Sequence, residues 1–215
     1  MNAQTDLVSG SRLSQRLKIE TAQQHERMHE LMAQGNPFAD LGSYARFVAA
    51  QYLFQRDVEH LFHDTAVKKA VPDLEARGRE EASLADLADL GAAVPQSALA
   101  SEGVGMPEAL GWLYVSEGST LGAAFLFKEA RERLGLSETF GARNLAAYPQ
   151  GRAMAWRAFV ASLDAPALSD TATQDRVIAG ANAAYDRFGS LLEQHFPCPA
   201  ESRVAGHSEA HEAAL

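Results

Sequence analysis

The chain has a single cysteine, Cys198, set between Pro197 and Pro199 near the end of its 215 residues. One thiol excludes an internal disulfide framework and any cysteine-based zinc ribbon, and it fits a reducing compartment. No apolar run follows the N-terminus, where Asn2, Gln4, Asp6, Ser9, Ser11 and Arg12 interrupt every hydrophobic stretch. No secretory signal is therefore expected, and the protein is expected to be cytoplasmic. The longest apolar stretch, 109–127, carries Ser116, Glu117, Ser119 and Thr120 at its centre, which a bilayer core would penalise heavily. A buried helix is expected there rather than a membrane span. Basic charge is scarce as well. A formal net charge of -9 and the lack of an aromatic-rich basic stripe argue against nucleic acid as a partner.

Sustained period-two alternation is also missing, whereas apolar residues recur at spacings of three and four almost throughout, so the fold is expected to be all-α. With 47% apolar and 22% charged residues, the length suits a single domain, placed over 11–196, with no internal repeat. The first ten residues are expected to be flexible. From 197 to 215 the periodicity gives way to small and polar residues, as in a disordered tail. The spacing predicts a first helix over 11–32, with Leu13, Leu17, Thr21, His25, Met28 and Met32 along one stripe and an end marked by Gly35 and Pro37. A second helix is predicted over 41–63, short helices within 67–90, and a Pro-, Gly- and Ser-rich connection over 91–105. Long helices over 107–134, 151–163 and 173–195 complete the set, Pro107 taking a favoured first-turn position.

Two features carry chemistry. His25-Glu26-Arg27-Met28-His29 reads as H-E-x-x-H on a helix, in which two histidines one turn apart bind zinc and the glutamate acts as base. That reading needs a third ligand, yet no glycine and third histidine continue the motif, and His60 and His63 have the spacing of a solvated helix face. The competing reading uses His25 alone, on the apolar stripe, as an axial ligand of haem iron. The second feature is the segment 111–125, where Gly111, Gly118 and Gly122 fall on one helical face at spacings of seven and four. Each costs a helix interior about 1 kcal/mol relative to alanine, so three together need a reason. Either backbone lies close to something flat, or small residues let two helices pack tightly.

Together, Arg46-Phe47-Val48-Ala49-Ala50-Gln51-Tyr52-Leu53-Phe54-Gln55, the Val115-Ser116-Glu117-Gly118-Ser119 core of the glycine helix, and Phe140-Gly141-Ala142-Arg143 resemble the bacterial haem (heme) oxygenases of the proteobacterial type. The resemblance covers about residues 11–196. It implies an all-α haem oxygenase-like fold and an oxidoreductase that opens haem, both substrate and cofactor, with O2 to biliverdin, CO and iron. His25 matches the axial ligand on the proximal helix, and Gly118 and Gly122 match the distal glycines that lie over the ring and steer the attack. Ser119 stands where animal relatives have an aspartate, so the proton relay differs. Gln51 and Arg79 match residues that support the water network, while Glu117 is expected to turn away from the glycine face. Lys18 lies seven residues before His25, about 10 Å along a straight helix, within reach of a haem propionate. Family members with Lys and Tyr at the positions of Lys18 and Tyr114 resemble the α-cleaving type. A relative that cuts elsewhere has lysines matching Ala33 and Glu129, which this chain lacks. Tyr185 and Phe188, on the apolar face of the last helix, join Lys18 and Tyr114 as expected haem-binding residues. The product is therefore expected to be biliverdin IXα, the isomer that bacterial phytochromes take up.

Nothing in the sequence suits a flavin, a nicotinamide or an iron–sulfur cluster, so electrons are expected from an external donor, a ferredoxin or flavodoxin with its reductase. Lys128, Arg131 and Arg133, just beyond the glycine helix, could dock such an acidic partner or simply form a solvated cationic helix end. A bacteriophytochrome receiving biliverdin is a further partner that the resemblance suggests. A non-catalytic haem carrier or sensor and a zinc hydrolase remain as alternatives.

Overall fold

The computed structural model describes residues 12–196; the expected flexible N-terminus, the disordered tail and Ser11, the expected start of the first helix, lie outside the described residues. Among the described residues there are eight α-helices and no strand beyond isolated bridges from Ser137 to Phe140 and Gly141. The helices are α1 (Leu13–Glu20), α2 (Ala22–Gly35), α3 (Leu41–His60), α4 (Thr65–Ala70), α5 (Glu80–Asp89), α6 (Glu108–Leu134), α7 (Arg152–Leu163) and α8 (Thr171–His195). Short 3-10 turns at Leu61–His63, Leu74–Arg77 and Pro166–Leu168 join some of them.

The helix expected over 11–32 is divided at Thr21, whose φ of -107° and ψ of 8° leave the helical region. The Thr21 hydroxyl donates to the Leu17 carbonyl at 2.7 Å. Such back-bonding adds a second donor to a helix carbonyl and bends the chain. At the far end the left-handed residue is Asn36, at φ 41°, and not Gly35, which remains helical. Asparagine tolerates that conformation through local hydrogen bonding. Helix α3 starts where Asp40 accepts the Ser43 N–H at 2.7 Å, and α8 where Asp170 accepts the Thr173 N–H at 2.8 Å. Both are side-chain caps for otherwise orphaned donors. Pro107 caps α6 one position before its expected place, and Gly135 ends that helix at φ 71°.

Helix α8 is the spine, with α1, α2, α3 and α6 all packed against it. Its contact with α6 is closest at two glycines. A Cβ on Gly111 would fall 2.1 Å from the Val177 carbonyl oxygen, and one on Gly180 2.1 Å from that of Glu108. Gly111 is thus taken up by helix packing, the second of the two readings that the glycine spacing allows. Along the other side of α8, Asp57 is fully buried and accepts Arg187 Nε at 2.7 Å and the Ala100 N–H at 3.3 Å. This fastens the connection between α5 and α6 to both α3 and α8. The Phe140-Gly141-Ala142-Arg143 motif has a similar structural task. Asp89 accepts the Gly141 N–H at 2.8 Å, and Asp86 accepts the N–H groups of Arg143 and Asn144 at 2.9 and 3.0 Å. The loop after α6 is thereby locked onto α5.

Candidate active site

The site is defined by how α2 and α6 leave a common point on α8. Going along α8, Glu108 lies by Gly180, Gly111 by Val177 and Ala181, and Tyr114 near Tyr185, so α6 runs in the same sense as α8. Helix α2 does too, with Arg27 at Asp186, Met28 against Gly189 and Gly35 against Phe196. The two walls meet at Thr21, whose side chain reaches the phenols of both Tyr114 and Tyr185. Burial raises both phenols above their ordinary range, Tyr185 to about 12, and Thr21 partly offsets the rise. One helical turn beyond this junction, about 5.4 Å, stands His25 on α2, and one turn beyond it on α6 stands Gly118.

The facing surfaces are bare. His25 is exposed although it lies on the stripe that begins with buried Leu13, Leu17 and Thr21. Partial burial lowers its pKa below the ordinary imidazole value, nearby His29 adds to this, and Glu26 opposes it. A neutral imidazole offers its nitrogen lone pair to a metal at neutral pH. On α6 a Cβ at Gly122 would meet nothing within 4 Å, and one at Gly118 would meet only Trp156 ring carbons at 3.7 Å. Phe125, the next residue on that face, is 79% exposed. An exposed nitrogen ligand and an uncovered strip of backbone and phenyl ring suit a flat apolar group with a metal at its centre.

Behind the bare face α6 is intensely polar. Arg79 Nη2 donates to both the carbonyl and the hydroxyl of Ser116 at 2.6 Å, and the Ser116 hydroxyl donates to Gln55 at 3.1 Å. Glu117 is 2% exposed and accepts from Arg77 and, at 2.8 and 2.9 Å, from the Tyr148 hydroxyl. It turns away from the glycine face, as expected. Arg152 donates to the Thr120 carbonyl at 2.7 Å. Burial lowers the pKa of Arg79 and raises the Tyr148 phenol, the latter effect strengthened by Glu117. Gln51 Oε1 and Arg79 Nε are among the buried atoms with no hydrogen-bond partner among the described residues, and a polar ligand or ordered water is the usual partner for such atoms.

The sequence-predicted residues are brought together unevenly. Tyr114 and Tyr185 lie at the Thr21 junction, with His25 one turn past it on α2 and Gly118 and Gly122 one and two turns past it on α6. Arg79 sits behind α6, joined to Gln55 through Ser116, and Gln51 is one turn before Gln55 on α3. Ser119 is exposed, and its hydroxyl donates to the Ser116 carbonyl at 2.7 Å, so it is engaged within its own helix. Phe188 is half-buried against Phe54, at 5.2 Å between ring centres, in the layer that also holds Trp112. Lys18 is exposed on α1, and the irregular Thr21 lies between it and His25. The cations in the last turns of α6 are partly neutralised, Arg133 by Glu129 at 2.7 Å and Lys128 by Glu132 at 3.8 Å. Sequence reasoning missed Gln55, Ser116, Arg77, Tyr148, Arg152 and Trp156. Gln55 could have been found as the residue one turn after Gln51. The zinc reading finds no support in the geometry. The His25 and His29 rings are 4.6 Å apart, but among the described residues no three His, Cys, Asp or Glu side chains gather as a metal site.

A fold of helices on one spine, with a histidine and bare glycine backbone across a cleft, defines the class, and the sequence comparisons give it a name. The family model described as Heme oxygenase matches residues 11–194, and the chain belongs to that family. It is 49% identical over 186 residues to the Heme oxygenase PigA of Pseudomonas aeruginosa, covering 85% of this chain and 92% of that protein. Among solved structures it resembles the NO- and CO-bound heme oxygenase of Neisseria meningitidis, with 37% identity and a TM-score of 0.80 over 88% of this chain and 94% of that one. Heme oxygenase 2 of Chlamydomonas reinhardtii, at 18% identity and TM-score 0.73 over 88% of this chain and all of that one, shares the fold. The protein is a haem-degrading enzyme whose substrate is haem, and its family uses O2 and reducing equivalents from a reductase. No described helix is long and apolar enough to cross a membrane.

Proposed function

We propose that residues 11–196 form a haem oxygenase domain in which His25 binds the haem iron and the backbone of Gly118 and Gly122 covers the opposite face of the ring. The observation that carries this reading is the pairing of an exposed His25 with uncovered Gly118, each one turn beyond the shared Thr21–Tyr114 junction, and with Gly122 one turn further along α6. Bound haem supplies the iron at which O2 is activated and is itself the ring that is opened. The chain's part is positional and electrostatic. Helix α2 sets the imidazole, and the glycines admit the ring close to α6 while leaving one direction free for attack on its edge. Arg79, held on Ser116 behind α6, and Gln51, with its unpaired Oε1, are assigned to ordering the water through which protons reach that face. Ser119 contributes through the Ser116 carbonyl, and Trp156, 5.6 Å from Tyr114 between ring centres, flanks Gly118.

Lys18 and Tyr114 are the residues that favour cleavage to biliverdin IXα, Lys18 as an exposed cation for a propionate and Tyr114 as the phenol at the root of the cleft. Tyr185 lines the same root, and Phe188 supports it from the aromatic layer behind. The electron donor is a ferredoxin or flavodoxin with its reductase, with Arg131 the exposed cation on α6 that lacks an ion-pair partner among the described residues. A bacteriophytochrome is a fitting acceptor of the IXα product.

The test is a hemin titration of the parent protein and His25→Ala, followed by addition of O2 and reductant and chromatography of the pigment. The parent should give a histidine-ligated Soret band and then mainly the α isomer, and His25→Ala should lose the axial-ligand spectrum. An unchanged spectrum in His25→Ala would overturn the ligand assignment, and a β or δ product would overturn the assigned orientation of the ring.

A further inference from the structure

The glycine stretch of α6 presents a difficulty that its own sequence does not solve. A helix is normally held in place by side chains that interdigitate with a neighbour on its packed face. Between Ser116 and Phe125 the cleft side of α6 has no side chain at Gly118 or Gly122 to do this. Its position must be set from behind, where, beside buried Ala123, hydrogen-bond donors are aimed at the helix backbone. The Ser116 carbonyl receives Arg79, and the Thr120 carbonyl, exactly one turn on and between the two glycines, receives Arg152 at 2.7 Å.

Arg152 is built to set a distance. Its other terminal nitrogen donates to the Leu145 carbonyl at 2.6 Å, in the loop that Asp86 and Asp89 lock onto α5. One planar guanidinium therefore spans α6 and that loop, with both ends on backbone. The turn that delivers it is fixed on each side. Gly151, immediately before, has φ 142°, and Tyr148 has φ 56°, both backbone conformations that ordinary L residues rarely adopt. Tyr148 holds Glu117 on the same helix. The 148–152 segment thus grips α6 at 117 and 120, on either side of Gly118.

We propose that Arg152 is a positioning residue for the ring-opening reaction. It tethers the Thr120 carbonyl to the locked loop and so fixes how far the bare Gly118–Gly122 backbone stands into the cleft. This rests on the reading that haem lies against that backbone. An extra donor on a helix carbonyl tilts it out of the ladder and bends the helix. Removing the donor lets the stretch straighten and loosen without touching His25. Lysine cannot replace the guanidinium, because a point donor does not bridge two carbonyls in a fixed fork.

The experiment compares the parent, Arg152→Lys and Arg152→Ala as full chains. Amide exchange is measured first without hemin, then hemin titration, single turnover and the isomer ratio. Both variants should exchange faster over 118–124, by about tenfold for the loss of one charge-assisted bond, with α2 and α8 unchanged. They should bind hemin with the parent's His25 spectrum, turn over more slowly and give a broader isomer mixture, and added guanidinium should restore Arg152→Ala in part. Parent-like exchange over 118–124, or full restoration by lysine, would overturn the proposal. A uniform rise in exchange across the chain with parent-like turnover would also overturn it, by showing a merely structural role. If the parent fails to bind hemin, the functional reading fails, while the exchange data still decide whether Arg152 holds the helix.

Discussion

Substituting the three glycines of α6 separates what the fold needs from what the reaction needs. At Gly122 a new Cβ meets nothing within 4 Å, and at Gly118 it makes ordinary contact with Trp156 at 3.7 Å. Neither substitution meets a steric cost in the protein alone, and each removes the helix penalty of glycine, about 1 kcal/mol. For a chain of this size that corresponds to a rise of about 2–4 °C in melting temperature. At Gly111 the same methyl group would lie 2.1 Å from the Val177 oxygen and 2.3 Å from the Ala181 nitrogen, both backbone atoms. There α6 and α8 would have to separate, at a cost of about 3 kcal/mol or more, the upper part of the range for overpacking.

The catalytic consequences should run the other way. A methyl group on Gly118 or Gly122 occupies the space where the ring would touch backbone, and displacing a reacting group by about 1 Å can cost about a hundredfold in rate. Gly122→Ala should therefore melt above the parent and turn over haem far more slowly, and Gly118→Leu or Gly122→Leu should bind hemin but not open it. Gly111→Ala should melt well below the parent, and whatever stays folded should keep its chemistry. The assays are thermal unfolding without hemin, hemin titration, and single turnover with reductant and O2. A Gly122→Ala protein that is destabilised, or a Gly122→Leu protein that still forms biliverdin, would refute the reasoning.

Three other outcomes follow from the geometry. Because the His25 pKa lies below its ordinary 6.5, hemin affinity should stay level as the pH falls to that value and decline only below it. In the unfolded chain the same imidazole takes its proton first, so His25 also removes folding stability as the pH falls through this window; an affinity inflection above the ordinary value would contradict the assignment. Asp57→Ala leaves Arg187 without its 2.7 Å partner and frees the 91–105 connection, which should cost about 3 kcal/mol in urea unfolding; a loss under a tenth of that would show the pair to be idle. Tyr148→Phe removes both hydroxyl contacts to buried Glu117 and should lower stability by about 2 kcal/mol, with turnover falling further than stability accounts for; an unperturbed rate would detach Glu117 from the glycine stretch.

Much of the helical frame was legible because amphipathic spacing of three and four directly reflects which face of each helix meets α8. The break at Thr21 was not, since its cause is a hydroxyl that bonds four residues back, and threonine on an apolar stripe reads simply as small and tolerated. The three glycines illustrate a different limit. Their spacing placed them on one face correctly, but spacing cannot tell whether that face meets another backbone, as at Gly111, or open space, as at Gly122. Arg79 was visible through family resemblance, whereas its bond to Ser116 and the bond from Ser116 to Gln55 were not, because hydrogen bonds across 37 and 61 residues leave no local pattern. The spacing of Lys18 and His25 was read on an unbroken axis for the same reason as the first helix, and the Thr21 irregularity lies between them.

The arrangement of charge behind α6 follows from the demand made on its front. A wall that must be free of side chains cannot be anchored by packing on that side, and a polar group on that side would compete with the substrate for the same space. The anchoring has to come through the helix backbone and from the rear, where only long donors can reach a carbonyl that already has an intrahelical partner. Arginine meets this need, but it brings positive charge into a buried region. Arg77, Arg79 and Arg152 all converge on the segment 116–120, and Glu117 is the only carboxylate of α6 buried among them. A neutral glutamine there would preserve shape and leave only Asp73 at Arg77 and Glu59 near Arg79 as counter-charges. The glutamate next to Gly118 is therefore better understood as a consequence of the glycine than as a separate feature. Once the front is left bare, the back must be cationic, and the cations require one fixed negative charge at the same turn of the helix.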